Sequence, residues 1–451
     1  MRVHGPSFLF FFVFLRGSLL YLFFSRPSWI PFLMTNHSPP TTEIRQTMKN
    51  TLVIGAGGVA NVAAHKCAQN NHILGNICIA SRTPAKCDAI VESIRRKGNL
   101  KDPDKDLTTR PIDVNDVDAT VNLIRETQSE IVINVAANWI APPLMEACVR
   151  TRVPYVDTAV CTDLCTEGQL LPECYAPQWA FRDRFQAART TGILGTGFDP
   201  GVVSFYAMHA YKHHFDTIDA IDILDVNAGN HGRKWATNFD PECNLLEIQG
   251  DSFYWDNGQW NRVPCHTRSL TYDFPVVGPY TLYSMAHDEV RSLVEFTDAK
   301  HVEFWMAFND NYLKYFGVLR DIGMLSPDPV TTGNGVTVSP LKVLKAVLPD
   351  PASLAPGYTG KTCIGDRIVG EKDGQRKEIF LYNVCDHEKC YQEVESQAIS
   401  YTAGVPPVAS AILIANGTYD VKRLVNVEEL DPDPFIELVG EMGLKTEIVT
   451  A

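Results

Sequence analysis

The feature that most constrains the fold is the stretch Thr51–Ala60, TLVIGAGGVA. An apolar run, Leu52-Val53-Ile54, stops at the glycine-rich segment Gly55–Gly58, and helix-favouring residues follow from Val59. This order predicts a buried strand, a tight turn and a helix whose N-terminus points back at the turn. Free N–H groups and the positive end of the helix dipole then favour an anion. The stretch therefore predicts a dinucleotide site, with a purely structural turn as the alternative.

The small residues of this turn have distinct expected roles. Gly55 allows the turn, Gly57 lets a pyrophosphate approach the backbone, and Ala60 lies where helix and strand pack closely. The cofactor-binding residues predicted here are Gly55, Gly57, Gly58, Val59 and Ala60.

The next predicted strand, Ile77–Ala80, ends in Ser81-Arg82-Thr83. An Asp or Glu at such a strand end holds the ribose hydroxyls of NAD, and no acid is present here. A hydroxyl and a permanent cation suit a 2′-phosphate, with Lys86 as a second cation. The sequence therefore predicts NADP(H) bound through Ser81, Arg82 and Thr83, with Arg82 as a solvated turn residue as the alternative.

Four further strands continue the pattern, at residues 107–113, 131–135, 153–158 and 193–198. Open α/β sheets bind ligands at the carboxyl ends of their strands. The residues that we expect to lie against the cofactor at these ends are Asn134, Ala136, Ala137 and Thr158.

The fold class predicted is α/β: an N-terminal Rossmann doubly wound parallel sheet plus an α+β substrate domain with a mainly antiparallel sheet. At 451 residues and 45% hydrophobic content, the chain can form two domains. The predicted divisions are a nucleotide domain at 48–201, a substrate and dimerisation domain at 202–400, and a helical section at 401–451 that returns to the nucleotide domain. Alternation at Ile218–Val226 and Ser292–Phe296 predicts strands of the second sheet.

Residues 1–47 form an apolar N-terminal extension. Arg16 interrupts its apolar run, which suits a leader better than a membrane span. The alternative is a mis-assigned start, with translation beginning at Met34 or Met48. We expect a cytoplasmic protein, with an organelle or membrane destination as the alternative.

Charge and cysteine content exclude several classes. A net charge of −13 argues against binding nucleic acid through phosphates. The twelve cysteines contain no CxxC pair, so we expect reduced thiols and no metal site. No stable membrane partner is expected, and small molecules are the expected ligands.

Three stretches carry candidate substrate chemistry. The polar cluster Asn230–Phe239 concentrates donors that could receive a carboxylate, or forms a solvated loop. His287-Asp288-Glu289 could meet an amine, although the pattern is more typical of an acidic helix N-terminus. Asp199-Pro200-Gly201 is either a turn and helix start or places Asp199 beside the other strand ends.

Taken together, the motifs resemble the saccharopine dehydrogenase-like family. The residues that carry the resemblance are VIGAGGVA (53–60), ASRT (80–83), NVAANW (134–139), YVDTA (155–159), GFDPGV (197–202) and YTAGVPPV (401–408). Within the family, HGRKWATNF (231–239) and the GFDPG form are most similar to the carboxynorspermidine (carboxyspermidine) synthase branch.

The resemblance implies an NADPH-dependent reductive condensation, in which aspartate β-semialdehyde and a diamine (1,3-diaminopropane or putrescine) form an imine that is then reduced. The alternatives are saccharopine dehydrogenase activity and NADP(H) binding without catalysis. A homodimer is expected because family members usually pair.

That chemistry needs a proton donor, a cationic anchor for the amino-acid end and anionic or aromatic groups for the ammonium. The expected catalytic residues are Asp199 and His231. The expected substrate-binding residues are Arg233 and Lys234 as anchors, with Trp235, Asn238, Asp157 and Trp139, and Asp163 as a further candidate for the amine.

Overall fold

The computed structural model describes residues 48–160 and 174–450, together with two short strands, Phe14–Leu15 and Ser18–Leu19, which pair with each other. The expectations about the remaining part of residues 1–47 and about Asp163 lie outside the described residues.

A parallel sheet forms the first half of the described chain. Its strands are β1 (Thr51–Ile54), β2 (Ile77–Ser81), β3 (Leu107–Pro111), β4 (Ile131–Asn134), β5 (Tyr155–Asp157) and β6 (Gly192–Leu194). Their order across the sheet is β6-β5-β4-β1-β2-β3. β1 and β4 are buried at every residue, because helices cover both faces, and this explains their continuous apolar sequences.

Helices connect these strands, as a parallel sheet requires. They are α1 (Gly58–Gln69), α2 (Asn71–Leu74), α3 (Pro84–Lys97), α4 (Pro103–Asp106), α5 (Val117–Glu126), α6 (Ala141–Thr151), α7 (Ala176–Trp179) and α8 (Arg182–Ala188). A single turn of 3₁₀ helix, Asn138–Ile140, follows β4.

A second, larger sheet follows α9 (Val202–His213). Its strands are β7 (Thr217–Asn227), β8 (Ser252–Asp256), β9 (Gln259–Val263), β10 (Ser269–Phe274), β11 (Gly278–Met285), β12 (His301–Ala307), β15 (Lys361–Lys372) and β16 (Gln375–Asp386), and the C-terminal section adds one more. Between β12 and β15, β13 (Val330–Thr331) and β14 (Thr337–Val338) form a separate hairpin. The pairing is antiparallel except between β12 and β7. The predicted fold class is confirmed.

The helices of this half are α10 (Pro241–Gln249), α11 (Asp288–Phe296), α12 (Asp310–Asp321), α13 (Pro340–Val347), α14 (His387–Val394) and α15 (Ala398–Ala415). The strand predicted at Ser292–Phe296 is wrong, because these residues belong to α11. Buried Val290 and Leu293 are spaced as on one helix face, and Asp288 and Glu289 favour a helix N-terminus at this point.

The C-terminal section contacts both sheets. β17 (Leu424–Asn426) pairs in parallel with β6 and becomes the seventh strand of the first sheet. After α16 (Pro432–Glu441), β18 (Thr446–Thr450) pairs with β16 in the second sheet. Among the described residues, α15 is the helix long and apolar enough to cross a bilayer, but 83% of it is buried inside this fold.

Candidate active site

The turn after β1 forms a cradle suited to a phosphate. Gly55 has φ +135°, and a Cβ there would lie 2.8 Å from the carbonyl oxygen of Val135, so this position requires glycine. A Cβ on Gly57 would meet no atom within 4 Å, which leaves its side open to a ligand. The first turn of α1 has neither a side-chain cap nor an acidic residue. Its N–H groups are therefore available to an anion.

The other small residues of the cradle pack it against α15. A Cβ on Gly58 would collide with Ser400, near the start of α15, and Ala60 is fully buried. Further along, Gly404 lies against Val62 and the carbonyl oxygen of Val59. Glycine at position 58 therefore serves close helix packing, which fixes the direction in which α1 points.

The end of β2 presents one unpaired cation. Arg82 is exposed and makes no ion pair within residues 48–160 and 174–450. Lys86, the second candidate cation, instead pairs with Asp350 at 2.8 Å. The Ser81 hydroxyl accepts from the Thr83 N–H at 3.1 Å, which shapes the turn that holds Arg82 outward. An unpaired guanidinium without a neighbouring acid fits the 2′-phosphate of NADP(H).

Two buried polar side chains brace the strand ends beneath this cradle. The Asn134 amide donates to the Tyr155 hydroxyl at 3.0 Å, and its oxygen accepts from the Ala136 N–H. The Asp157 carboxylate accepts from the Gly195 N–H, the Tyr155 hydroxyl and the Gln178 amide at 2.7 to 3.0 Å. Asp157 is 1% exposed, and these three contacts brace the strand ends.

The remaining residues predicted at these strand ends are accessible. Ala136, Ala137 and Thr158 are half-buried at the carboxyl ends of β4 and β5. Trp139, in the 3₁₀ turn, is 44% exposed.

A cluster of ionisable groups lies at the carboxyl end of β6, and we call Asp199, Asp225, Glu247, His287 and Glu289 the acidic cluster. Asp199, in the loop between β6 and α9, interacts electrostatically with the other four groups. The His287 Nδ1 lies 2.6 Å from Glu289 Oε2, and its Nε2 lies 3.3 Å from Glu247 Oε1. The His287 ring stacks on Phe304 of β12 at 3.9 Å.

The acidic cluster contains four carboxyl groups and one imidazole. Burial raises the pKa of Asp225 to about 7 and that of Glu247 to about 7, and it raises the pKa of Asp199 well above its usual value. Burial alone would lower the pKa of His287, but Glu289, Glu247 and Asp199 hold it well above its usual value. Glu289 Oε1 and Asp225 Oδ1 are buried and make no hydrogen bond within the described residues. These unused oxygens could accept a cationic ligand.

The polar cluster Asn230–Phe239 is attached to the start of α15. The Gln397 amide donates to the Asn238 carbonyl at 2.8 Å, and the Tyr358 hydroxyl donates to the Asn238 side chain at 2.9 Å. The His231 ring lies edge-on to Tyr358, and its Nδ1 accepts from the Arg233 N–H. Burial lowers the pKa of His231. Since Gln397 lies one turn before Ser400, these contacts place the polar cluster near the cradle.

Three predicted side chains of this cluster differ in exposure. Arg233 and Lys234 are exposed and make no ion pair among the residues that the structure describes. Trp235 is half-buried, with its ring 5.6 Å from that of Tyr312, and its Nε1 is buried without a partner in the described chain.

The structure therefore divides the two predicted catalytic residues between two groups. Asp199 belongs to the acidic cluster, whereas the neighbours of His231 are Arg233, Tyr358 and His387. Sequence reasoning missed Asp225 and Glu247. A usable signal was present, because Asp225 continues the buried face of Ile221 and Ile223 in β7, and Glu247 stands between Leu246 and Ile248 in α10.

Two family models match consecutive parts of the chain. Residues 51–193 match the family described as Saccharopine dehydrogenase NADP binding domain, and residues 197–444 match Saccharopine dehydrogenase C-terminal domain. The chain is 58% identical over 393 residues to Carboxynorspermidine synthase of Vibrio alginolyticus, covering 87% of this chain and 95% of that relative.

Two more distant matches extend the comparison. Carboxyaminopropylagmatine dehydrogenase of Synechocystis is 42% identical over 402 residues, covering 88% of this chain and 96% of that relative. The solved structure of apo saccharopine dehydrogenase (L-Glu forming) from Saccharomyces cerevisiae superposes with a TM-score of 0.66. It covers 89% of this chain and 100% of the yeast chain at 14% identity, and it supports the fold.

Proposed function

The chain belongs to the saccharopine dehydrogenase family, and from that premise we propose that it joins aspartate β-semialdehyde to a diamine by NADPH-dependent reductive condensation. The product would be carboxynorspermidine from 1,3-diaminopropane or carboxyspermidine from putrescine, within polyamine biosynthesis. The observation that carries the choice of an amine substrate is the acidic cluster, whose four carboxyl groups face a single imidazole.

NADP(H) fits the cradle residue by residue. The open side of Gly57 and the uncapped first turn of α1 would receive the pyrophosphate. Arg82 would pair with the 2′-phosphate, and no carboxylate at the end of β2 opposes it. When bound, NADPH supplies the hydride that reduces the imine.

The acidic cluster would bind the diamine. A diamine is dicationic at neutral pH, and its charge would satisfy the unused oxygens of Glu289 and Asp225. Binding a cation would also lower the raised pKa values of Asp225 and Glu247 towards their usual range. The favourable free energy of diamine binding would then come from pairing its ammonium groups with these carboxylate oxygens.

The condensation requires proton transfers that the chain must provide. The attacking ammonium loses a proton, the carbinolamine takes that proton back as it loses water to form a protonated imine, and reduction gives a secondary amine that takes up one further proton. The overall stoichiometry is aldehyde, ammonium, NADPH and one proton giving secondary ammonium, NADP⁺ and water. Asp199 is the proposed proton acceptor from the amine, since it is half-buried and borders both the strand ends and His287.

The carboxylate of the semialdehyde needs a cation, and Arg233 is the proposed anchor, with Lys234 second. Both side chains lack an ion pair in the part of the chain that the structure describes, and the loop that carries them is attached to α15 beside the cradle. Arg233→Ala should raise the KM for the semialdehyde at least about tenfold with little effect on NADPH affinity. Unchanged semialdehyde kinetics in Arg233→Ala, with Lys234→Ala as the matched variant, would remove this assignment.

The test of the reaction is NADPH oxidation by the full chain with paired substrates. Aspartate β-semialdehyde is supplied with 1,3-diaminopropane, putrescine or agmatine, the last because of the name of the Synechocystis relative. α-Aminoadipate semialdehyde with glutamate is the comparison. We expect turnover with a diamine and none with glutamate, because glutamate would bring further negative charge to the acidic cluster. Turnover only with glutamate would overturn the proposal.

Two further parts of the proposal concern assembly and compartment. We propose a homodimer, supported by exposed apolar side chains on α12, just after it and on α13, namely Tyr315, Val318, Ile322, Val343 and Val347. Light scattering of the purified chain tests it, and a monomer at all concentrations would contradict it. The second part of the proposal concerns the compartment. We propose a reducing, cytoplasmic setting, supported by ten described cysteines that form no disulfide.

A further inference from the structure

Two histidines of α9 and one carboxylate of α16 converge outside the candidate active site. His209 and His213 are one helical turn apart, and their ring centroids are separated by 4.5 Å. The His209 Nδ1 lies 3.0 Å from Asp433 Oδ1, and the His213 Nε2 lies 2.8 Å from the same oxygen. One carboxylate therefore faces two imidazole nitrogens at once.

These three side chains have the donor set and spacing of a transition-metal site. Their ligand atoms lie within 4.8 Å of one another. Zinc binds imidazole nitrogen at about 2.0–2.1 Å and carboxylate oxygen at about 2.0–2.2 Å, so one ion can reach all three after small side-chain adjustments. Imidazole favours zinc, copper and nickel over calcium or magnesium.

The surroundings fix the two helices against each other. Phe205 of α9 stacks on Phe435 of α16 with ring centroids 3.9 Å apart. Asp431 caps α16 by accepting from the Asp433 N–H, which orients the first turn of that helix. The competing cation is Lys212, whose Nζ lies 2.7 Å from Asp433 and 2.5 Å from Asp431. A metal ion would take Asp433 and leave Lys212 paired with Asp431.

We propose that His209, His213 and Asp433 form a binding site for one divalent transition-metal ion, with zinc as the best match. The side chains are 21%, 41% and 40% exposed, so water would complete the coordination. The ion would join α9 to α16. This site is independent of the proposed reaction, since none of its ligands belongs to the acidic cluster, and it departs from the expectation of no metal drawn from the cysteines alone.

The test uses the full chain without a polyhistidine tag, titrated with zinc by calorimetry. We expect one ion per chain and a rise in Tm on adding zinc. His213→Gln and Asp433→Asn should each weaken zinc binding at least about tenfold and abolish the rise in Tm. His72→Gln, which removes an exposed histidine of α2, should match the unsubstituted chain in both measurements.

Cobalt substitution then identifies the ligands. We expect visible d–d absorption without a sulfur-to-cobalt charge-transfer band, because the proposed ligands are nitrogen and oxygen. Three outcomes would overturn the proposal: no saturable zinc binding at micromolar concentration, equal zinc affinity in His213→Gln and the unsubstituted chain, or a thiolate charge-transfer band that would assign the ion to cysteine.

Discussion

The phosphate cradle and the acidic cluster are assembled in opposite ways. The cradle is a contiguous turn, Gly55–Gly58, whose proposed binding groups are backbone N–H groups and whose essential feature is a missing Cβ. The acidic cluster brings together five side chains from four separate segments, and two of its buried carboxylate oxygens have no partner among the described residues. The cradle therefore offers uncapped backbone donors to an anion, whereas the acidic cluster offers buried carboxylate oxygens that we propose accept a cation. Substitutions should separate nucleotide binding from amine chemistry.

The largest effect is expected from Asp199→Asn, which keeps the shape of the acidic cluster and removes the proposed proton acceptor. General acid–base groups contribute roughly 10²- to 10⁴-fold to rate, so kcat/KM for the diamine should fall at least about 100-fold. NADPH affinity, measured by fluorescence titration, should stay within about twofold. Asp183→Asn, which alters an exposed carboxylate on α8, is the matched control. Equal losses of kcat/KM and NADPH affinity in Asp199→Asn would mean that the two regions are not separable.

A pair of glycine substitutions tests nucleotide binding by the cradle. Gly57→Ala adds a methyl group to open space at an ordinary negative φ, so the free energy of unfolding should hardly change. NADPH affinity should nevertheless fall, by up to about 100-fold, because the added methyl group would occupy the space that the pyrophosphate needs. Gly55→Ala, in contrast, should destabilise the fold by about 1–3 kcal/mol, because of its positive φ and the contact with Val135. Urea unfolding and NADPH titration distinguish the two, and full NADPH affinity in Gly57→Ala would contradict the cradle.

The cradle could be predicted from the sequence better than the acidic cluster, for a physical reason. The cradle and the strands of the first sheet depend on local order, such as an apolar run followed by Gly55–Gly58, so they could be predicted from sequence. Asp225 and Glu247 lie 22 residues apart in sequence, on a strand and a helix, and only the tertiary fold brings them to Asp199. The acidic helix start at His287 was recognised as such, but the cluster it joins was not.

Arg82→Ala tests the preference for NADPH over NADH separately from pyrophosphate binding in the cradle. Losing a charge-assisted contact of roughly 1.5–3 kcal/mol should weaken NADPH binding about 10- to 100-fold. NADH affinity and the KM for the diamine should change little, because Arg82 lies at the end of β2, away from the acidic cluster. Lys86→Ala is the control, since Lys86 is already paired with Asp350. Steady-state kinetics with both nucleotides measures the effect, and a larger loss in Lys86→Ala would transfer the role to that residue.

The smallest expected effect is the contribution of Asp225, in the acidic cluster, to the pH dependence of stability. Burial raises the pKa of Asp225 from 3.8 to about 7, so between these values the folded chain holds a proton that the unfolded chain has lost. Stability from this group is therefore fully present below pH 3.8 and is lost as pH rises through about 7. One such group contributes a slope of up to about 1.4 kcal/mol per pH unit.

Comparing Asp225→Asn with the unsubstituted chain isolates this group from other buried carboxyls, such as Asp288 and Glu428. Urea unfolding from pH 5 to 7 should give a shallower fall in the free energy of unfolding for Asp225→Asn. A saturating diamine should flatten the slope of the unsubstituted chain, because a bound cation stabilises the ionised carboxylates that higher pH creates. If both proteins lose stability in parallel and the diamine leaves the slopes unchanged, the buried charge is compensated within the protein, and the acidic cluster does not need a bound cation.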